Sequence, residues 1–182
     1  MYEAMEIAYY LIDYAYKKEN EWSLSGLKMN CFLFMIQGYS LAIYDKPVFS
    51  DDIHKVGFGV MIEDTHKKFR RFGTLAIPHT HIILNPYVYG PKKLPYYDQY
   101  QLKYSRHGDN FSQDTYMCDR LDKETVEIVE AVFDTFSKFS LTVLNDIIFN
   151  LNCYKHSEDI VDIDFIKLDF KNIIQNSTNK ND

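Results

Sequence analysis

The chain has 182 residues, with 20 lysines and arginines against 26 aspartates and glutamates, which gives a net charge of −6 at pH 7. A chain of this length fits one domain and can bury roughly 70% of its unfolded surface, so folding requires no disulfide or metal ion. The acidic balance argues against a nucleic-acid partner, since phosphate backbones attract basic surfaces.

The cysteines and the apolar segments suggest a protein of the cytoplasm. Cys31, Cys118 and Cys153 are odd in number and share no short spacing, which excludes a disulfide framework and a C-x-x-C pair. Cys31 and Cys153 lie among apolar residues and are predicted to be small core residues. The N-terminus does not have the pattern of a signal peptide, and no segment approaches the ~18 apolar residues of a membrane span.

Two helices are predicted at the start of the chain. Residues 4–19 have apolar side chains at helical spacing, and residues 25–44 form a second helix with Ser23 or Ser25 as N-cap. Apolar residues occupy nearly every face of this second helix, which predicts that it is central and buried. Gly38 in its interior predicts a close helix crossing.

Three further helices follow the Asp45-Lys46-Pro47 stop. Residues 49–53 are interpreted as a cap and a short turn, and residues 60–72 as a helix that Gly73 ends. Residues 122–138 carry valines and phenylalanines at helical spacing, and Ser140 is the predicted cap of a helix over 141–151.

The end of the chain fits two structures. Residues 161–170 alternate like a strand, but apolar residues up to 174 also have helical spacing, and we expect a helix. Residues 176–182 are predicted to be a disordered tail.

Residues 74–120 contain four prolines and seven tyrosines. We interpret this segment as an insertion over the helical core, with room for a small hairpin. The sequence therefore predicts one all-α domain with a helical core of residues 1–73 and 121–175.

The sequence contains no common enzyme motif. Phosphate-binding glycine loops, the G-x-S-x-G nucleophile motif and H-E-x-x-H are all absent. His79 and His81 would lie on one side of a strand and offer two ligands for Zn²⁺, but no spacing selects the further ligands that a site needs. We therefore expect no metal and no cofactor, and histidines that form local hydrogen bonds.

Two patches are candidates for binding a partner. The first is the basic run Lys67, Lys68, Arg70 and Arg71 on a predicted helix. It is the solvated face of an amphipathic helix, a surface for an acidic protein or a surface for the phosphate backbone of nucleic acid, in decreasing order of preference. The second is the tyrosine-rich part of the insertion, represented by Tyr96, Tyr97 and Tyr100. These tyrosines either hold the insertion on the helices or supply contact area for a protein.

Residues 25–44 contain two short motifs, Leu27-Lys28-Met29 and Gln37-Gly38-Tyr39-Ser40-Leu41-Ala42. They resemble the "L-K-L … Q-G-W-x-L-A" helix of the Panacea domain, a family known for SocA-like antitoxins and phage-associated proteins. Tyr44-Asp45-Lys46-Pro47-Val48-Phe49 resembles its "Y-x-K-P-L-F" turn, and Gly59 and Gly73 match the glycine spacing of the next helix. The resemblance covers residues 1–73 and 121–175 and leaves out the insertion.

Three positions depart from the family pattern. Val56 stands where the family has a tryptophan, Val60 where it has a proline, and Phe149-Asn150 where it has a Thr-His pair. These positions belong to the functional surface of the family, so the resemblance implies a divergent member with altered partners.

The resemblance implies a helical antitoxin that neutralises a toxin by direct binding and, in some members, hands the toxin to a protease. It implies no catalysis. The alternatives are a phage or prophage protein that binds another host target, and a metal-dependent hydrolase that uses His79 and His81.

Overall fold

The computed structural model describes residues 1–18, 23–78 and 121–178. Within these ranges the chain is mostly helical, which confirms the predicted all-α class. A two-stranded hairpin and one 3-10 turn, Arg70–Phe72, accompany the helices. The elements are α1 (Ala4–Lys17), α2 (Gly26–Tyr44), β1 (His54–Val56), β2 (Gly59–Met61), α3 (Glu63–Phe69), α4 (Lys123–Phe136), α5 (Leu141–Asn150), α6 (Asn152–His156) and α7 (Ile163–Thr178).

Helix α2 is the centre of the fold. Its residues 29–38 are buried on every face, as the apolar sequence predicts, and α1, α3, α4, α5 and α7 all contact the helix. The Ser25 hydroxyl accepts a hydrogen bond from the Lys28 amide, so Ser25, and not Ser23, is the N-cap. Asp45 ends the helix in the left-handed conformation, with φ at 60°.

Aromatic side chains fill the contact between α1, α2 and α4. The Phe133 ring lies 5.8 Å from that of Phe32 and meets the Tyr14 ring edge-on at 5.6 Å between ring centres. Asp122 caps α4 by accepting a hydrogen bond from the Thr125 amide at 2.8 Å. Phe133 is one of the apolar residues that the helical spacing of residues 122–138 selects.

The last segment is a helix, as expected. Phe170 of α7 is fully buried against α2, where its ring contacts those of Phe34 and Tyr39 at 5.7 and 4.9 Å. Gly38 makes this approach possible, because a Cβ atom at that position would lie 2.3 Å from the Phe170 ring. The predicted close crossing at Gly38 is present.

The disordered tail was predicted to begin at residue 176, but α7 continues through Thr178. Residues 179–182 lie outside the described residues.

The helix predicted over residues 60–72 is wrong in its first part. Val60 and Met61 belong to β2, which pairs with β1 in an antiparallel hairpin, and α3 begins only at Glu63. Strands of three residues are too short to produce a detectable alternation. The end of the predicted helix is also tighter than expected, because residues 70–72 form a 3-10 turn before Gly73, whose φ is 52°.

Two other boundaries differ from the prediction. The helix predicted over 141–151 ends at Asn150, and extended Leu151 separates it from the short α6, which the sequence pattern did not indicate. Residues 74–78, assigned to the insertion, return to the core: the Ile77 amide donates to the Leu24 carbonyl, and Ile77 is buried. Residues 79–120 lie outside the described residues.

Candidate functional site

A surface loop of residues 45–53 follows α2 and is held by a buried glutamine. Gln37 is 2% exposed, and its amide oxygen accepts hydrogen bonds from the Val48 and Phe49 amides at 2.8 and 3.3 Å. Its amide nitrogen donates to the Phe49 carbonyl at 3.0 Å. The Gln37 side chain thus supplies hydrogen-bond partners to backbone groups of the loop, which has no helix or strand to supply them.

Both ends of this loop are also attached. The Ser40 hydroxyl donates to the Lys46 carbonyl at 2.8 Å, and the Lys46 ammonium pairs with Glu124 of α4 at 2.8 Å. At the other end, the Asp51 carboxylate accepts from the first amide of α1, that of Ala4, at 2.9 Å. The loop therefore has a fixed position between α1, α2 and α4.

The first hollow beside the loop is a cleft that contains two of the predicted basic residues. It has a volume of about 640 Å³ and separates the loop from α3. We name it the lysine cleft; its lining residues are Glu3, Met5, Ser50, Asp51, Asp64, Lys67 and Lys68. Lys67 and Lys68 are exposed there, whereas Phe69 is fully buried in the core.

The lysine cleft has mixed charge. Lys67 forms an ion pair with Glu63 one turn before it, which lowers the pKa of Glu63 and raises that of Lys67 through their hydrogen bond. Asp51 and Asp64 add carboxylates to the same walls. A partner of this cleft would therefore need charges of both signs in register, because like charges that face each other in an interface cost affinity.

Arg70 and Arg71 lie beyond the cleft, on the 3-10 turn. Both side chains are exposed, and the Arg71 guanidinium lies over the Phe72 ring at 4.9 Å. Stacking on Phe72 limits the conformations of Arg71 and places its charge at the surface. The basic run is thus divided between two elements: its lysines face the loop and its arginines end α3.

The second hollow lies on the opposite side of the loop and is largely apolar. It has a volume of about 420 Å³, and we name it the apolar groove. Its floor consists of Phe49, Ile53, Val161 and Ile166, which are all buried. Met1, Pro47, Ile160 and Ile163 form its walls together with the carboxylates of Asp51, Asp52 and Asp162.

Ser50 and Asp51 line both hollows. The lysine cleft and the apolar groove are therefore neighbours, separated only by the loop that Gln37 holds. The sequence did not indicate this surface, because its walls come from residues more than one hundred positions apart. The nearest signal was the alternation of acidic residues with isoleucines between Glu158 and Asp164, which fits a strand or helix equally well.

Gly59 belongs to the motifs of the resemblance and has a structural role. Its φ is 128°, and a Cβ atom there would lie 2.8 Å from the Asn145 side-chain oxygen. The Asn145 amide donates to the Phe58 carbonyl at 3.1 Å and fixes the hairpin turn on α5. The Cys31 thiol approaches the same Asn145 oxygen at 3.4 Å.

The two described cysteines are core residues, as predicted. Burial is the main reason that the pKa of Cys31 and that of Cys153 rise to about 12. The Asp169 carboxylate adds to the effect at Cys153. A thiol with such a pKa is almost entirely protonated near pH 7 and is a poor nucleophile.

Several predicted site residues lie outside the described residues. These are Tyr96, Tyr97 and Tyr100 of the insertion, the histidine pair His79 and His81, and Cys118. Within residues 1–18, 23–78 and 121–178, no three histidine, cysteine or acidic side chains come close enough to hold a metal ion. No helix in this part of the chain is long and apolar enough to span a membrane.

Comparison with known proteins adds no assignment. No protein-family model matches the chain, and neither the curated proteins nor the solved structures contain a match.

Proposed function

We propose that this protein is a non-catalytic binding protein, an antitoxin that neutralises a partner toxin by direct contact in the cytoplasm. One observation carries the proposal: residues that resemble the Panacea motifs build the loop between the two hollows. Gln37 holds the loop by three hydrogen bonds, and Pro47 contributes to the wall of the apolar groove. A rigid loop with a hollow on each side suits the binding of a protein, since it loses little conformational entropy on association.

The basic face would guide an acidic region of the partner toward this surface. Lys67, Lys68, Arg70 and Arg71 are all exposed, and charges at the rim of an interface act mainly on the rate of association. Tyr96, Tyr97 and Tyr100 are the second candidate contact, because tyrosine often supplies a large share of interface energy. A complex with the toxin could then be passed to a protease, as the resemblance implies.

The test is co-expression of this protein with the product of the adjacent gene. The proposal predicts that the adjacent gene stops growth when expressed alone, that this protein restores growth, and that the two proteins co-purify. Absence of both growth rescue and co-purification would exclude an antitoxin role toward that product.

Two double variants test the contact surface. Lys67→Glu with Arg71→Glu should slow association roughly tenfold at low salt, because attraction becomes repulsion. Tyr96→Ala with Tyr97→Ala should weaken binding by about 2 kcal/mol if that segment contacts the toxin. The matched control is Lys123→Glu with Lys138→Glu, which makes the same charge change at two exposed lysines of α4 and its C-terminal end. Equal association rates for the control and the Lys67/Arg71 variant would exclude the basic face as the guiding surface.

A further inference from the structure

The apolar groove exposes large hydrophobic side chains in a fixed arrangement. Ile160 is 49% exposed and Ile163 42%, and both line the groove. Backbone hydrogen bonds hold Ile160 in place: the Lys55 amide donates to the Asp159 carbonyl at 2.6 Å, and the Val161 amide donates to the Ile53 carbonyl at 2.8 Å. The pairing turns Val161 inward and Ile160 outward, so Ile160 cannot join the core without breaking these bonds.

The rim of the groove is acidic. Asp51, Asp52 and Asp162 line it, and none of the described side chains that line it is a lysine, an arginine or a histidine. Asp51 and Asp162 are held in position by helix starts, since Asp51 accepts from the Ala4 amide and Asp162 from the Asp164 amide at 2.8 Å. The Asp52 side chain is exposed. Apolar floor and carboxylate rim together favour a ligand that is apolar at its centre and cationic at its edges.

We propose that the apolar groove binds a segment of a partner protein in which leucine- or isoleucine-type side chains alternate with lysine or arginine. The inference deepens the proposed function and rests on it only for the identity of the partner. A second copy of this chain is the less suitable occupant. In a two-fold dimer the same surface meets itself, so the carboxylates of the two grooves would face each other.

The direct test uses three eight-residue peptides labelled with fluorescein and the purified full chain. One peptide alternates leucine and lysine, one alternates leucine and glutamate, and one alternates serine and lysine. The leucine–lysine peptide should bind at least about tenfold more tightly than either of the others, because only it matches both the floor and the rim. In ¹⁵N spectra the largest amide shifts should occur at Asp52, Ile160 and Ile163.

Variants locate the binding. Ile160→Ser with Ile163→Ser should weaken binding of the leucine–lysine peptide about tenfold or more, because the apolar contact is lost. Asp52→Lys should weaken binding and reduce its dependence on salt. The matched controls are Leu75→Ser with Val143→Ser, which removes two exposed apolar side chains elsewhere, and Asp146→Lys, which makes the same charge change on α5. The controls should bind the peptide as wild type does, and the melting temperature of each variant shows whether it is folded.

Three results would overturn the inference. The first is equal affinity for the leucine–lysine and serine–lysine peptides. The second is wild-type affinity of the folded Ile160/Ile163 variant. The third is a wild-type dimer, measured by light scattering, that the Ile160/Ile163 variant loses, since a second copy would then occupy the groove. Failure of growth rescue with intact peptide binding would reject the antitoxin role and leave the groove standing.

Discussion

Two buried amide side chains in this protein form the hydrogen bonds that irregular backbone segments need. Gln37 satisfies the backbone of the loop after α2, and Asn30 does the same where β2 meets α3. The Asn30 side-chain oxygen accepts from the Ile62 amide at 3.0 Å and from the Thr65 hydroxyl at 3.3 Å. Both side chains project from α2 and are 2% exposed. The central helix therefore determines the path of the irregular segments around it as well as the packing of its helical neighbours.

Replacing Gln37 by methionine should destabilise the protein. Methionine has a similar length but leaves the Val48 and Phe49 amides without their acceptor, and unsatisfied buried groups cost about 1–3 kcal/mol each. We expect the free energy of unfolding in urea to fall by about 2–4 kcal/mol. Asn172→Met, a change at an exposed position of α7, should alter it by less than about 0.5 kcal/mol. A loss below about 1 kcal/mol for Gln37→Met would show that water replaces the lost bonds.

At the scale of the elements, α2 and α7 cross in close contact at Gly38. Gly38 allows the Phe170 ring to lie against the α2 backbone, where it also contacts the rings of Phe34 and Tyr39 on the same helix. The glycine is unfavourable for the helix itself by about 1 kcal/mol compared with alanine. Close packing therefore outweighs helix propensity at this position.

Replacing Gly38 by alanine should lower stability even though alanine favours helices. The new methyl group would overlap the Phe170 ring, and overpacking of a core costs about 1–3 kcal/mol. Thermal and urea unfolding measure the change. Gly57→Ala is the control, since a Cβ atom there meets nothing within 4 Å, and it should be nearly neutral. The cost of Gly38→Ala should also shrink in a Phe170→Leu background; equal costs in both backgrounds would contradict the contact.

At the scale of the whole molecule, several tyrosine and cysteine side chains pack between elements, and this burial favours their neutral, protonated form. Burial raises the pKa of Cys31 and Cys153 to about 12, from a usual value of 9.0. Burial also raises the pKa of Tyr39 and that of Tyr154, whose hydroxyl donates to the Val56 carbonyl at 2.7 Å. All four groups favour the folded state only while they keep their protons.

The free energy of unfolding should therefore fall with rising pH in the alkaline range. Each of these groups has a higher pKa in the folded state, so the unfolded chain releases its proton first, and stability is lost as the pH rises from about 9 toward 12. Urea unfolding at pH 7, 9, 10 and 11 measures the trend. Cys31→Ala with Cys153→Ala should make the initial decline near pH 9 shallower. A decline of equal slope in that variant would assign the effect to other groups.

Local patterns in the sequence were enough to place most helices. Apolar residues at helical spacing predicted α2, α4 and α5, together with the caps at Ser25 and Ser140, and the structure has all three helices. These signals depend only on neighbouring residues, because a helix satisfies its own backbone hydrogen bonds. The Asp122 cap of α4 is seen only in the structure. The short strands and α6 escaped prediction, since three to five residues carry too little pattern to be recognised.

The sequence by itself determined the mostly helical class, the central position of α2 and the close crossing at Gly38. Only the tertiary structure decided how the 45–53 loop is held and where the two hollows lie. Glu3, Asp51 and Lys67 meet in the lysine cleft, and Ile53 and Ile160 meet in the apolar groove. No local rule relates residues so far apart in the chain. Their meeting depends on the packing of all the helices around α2, which brings them to one surface.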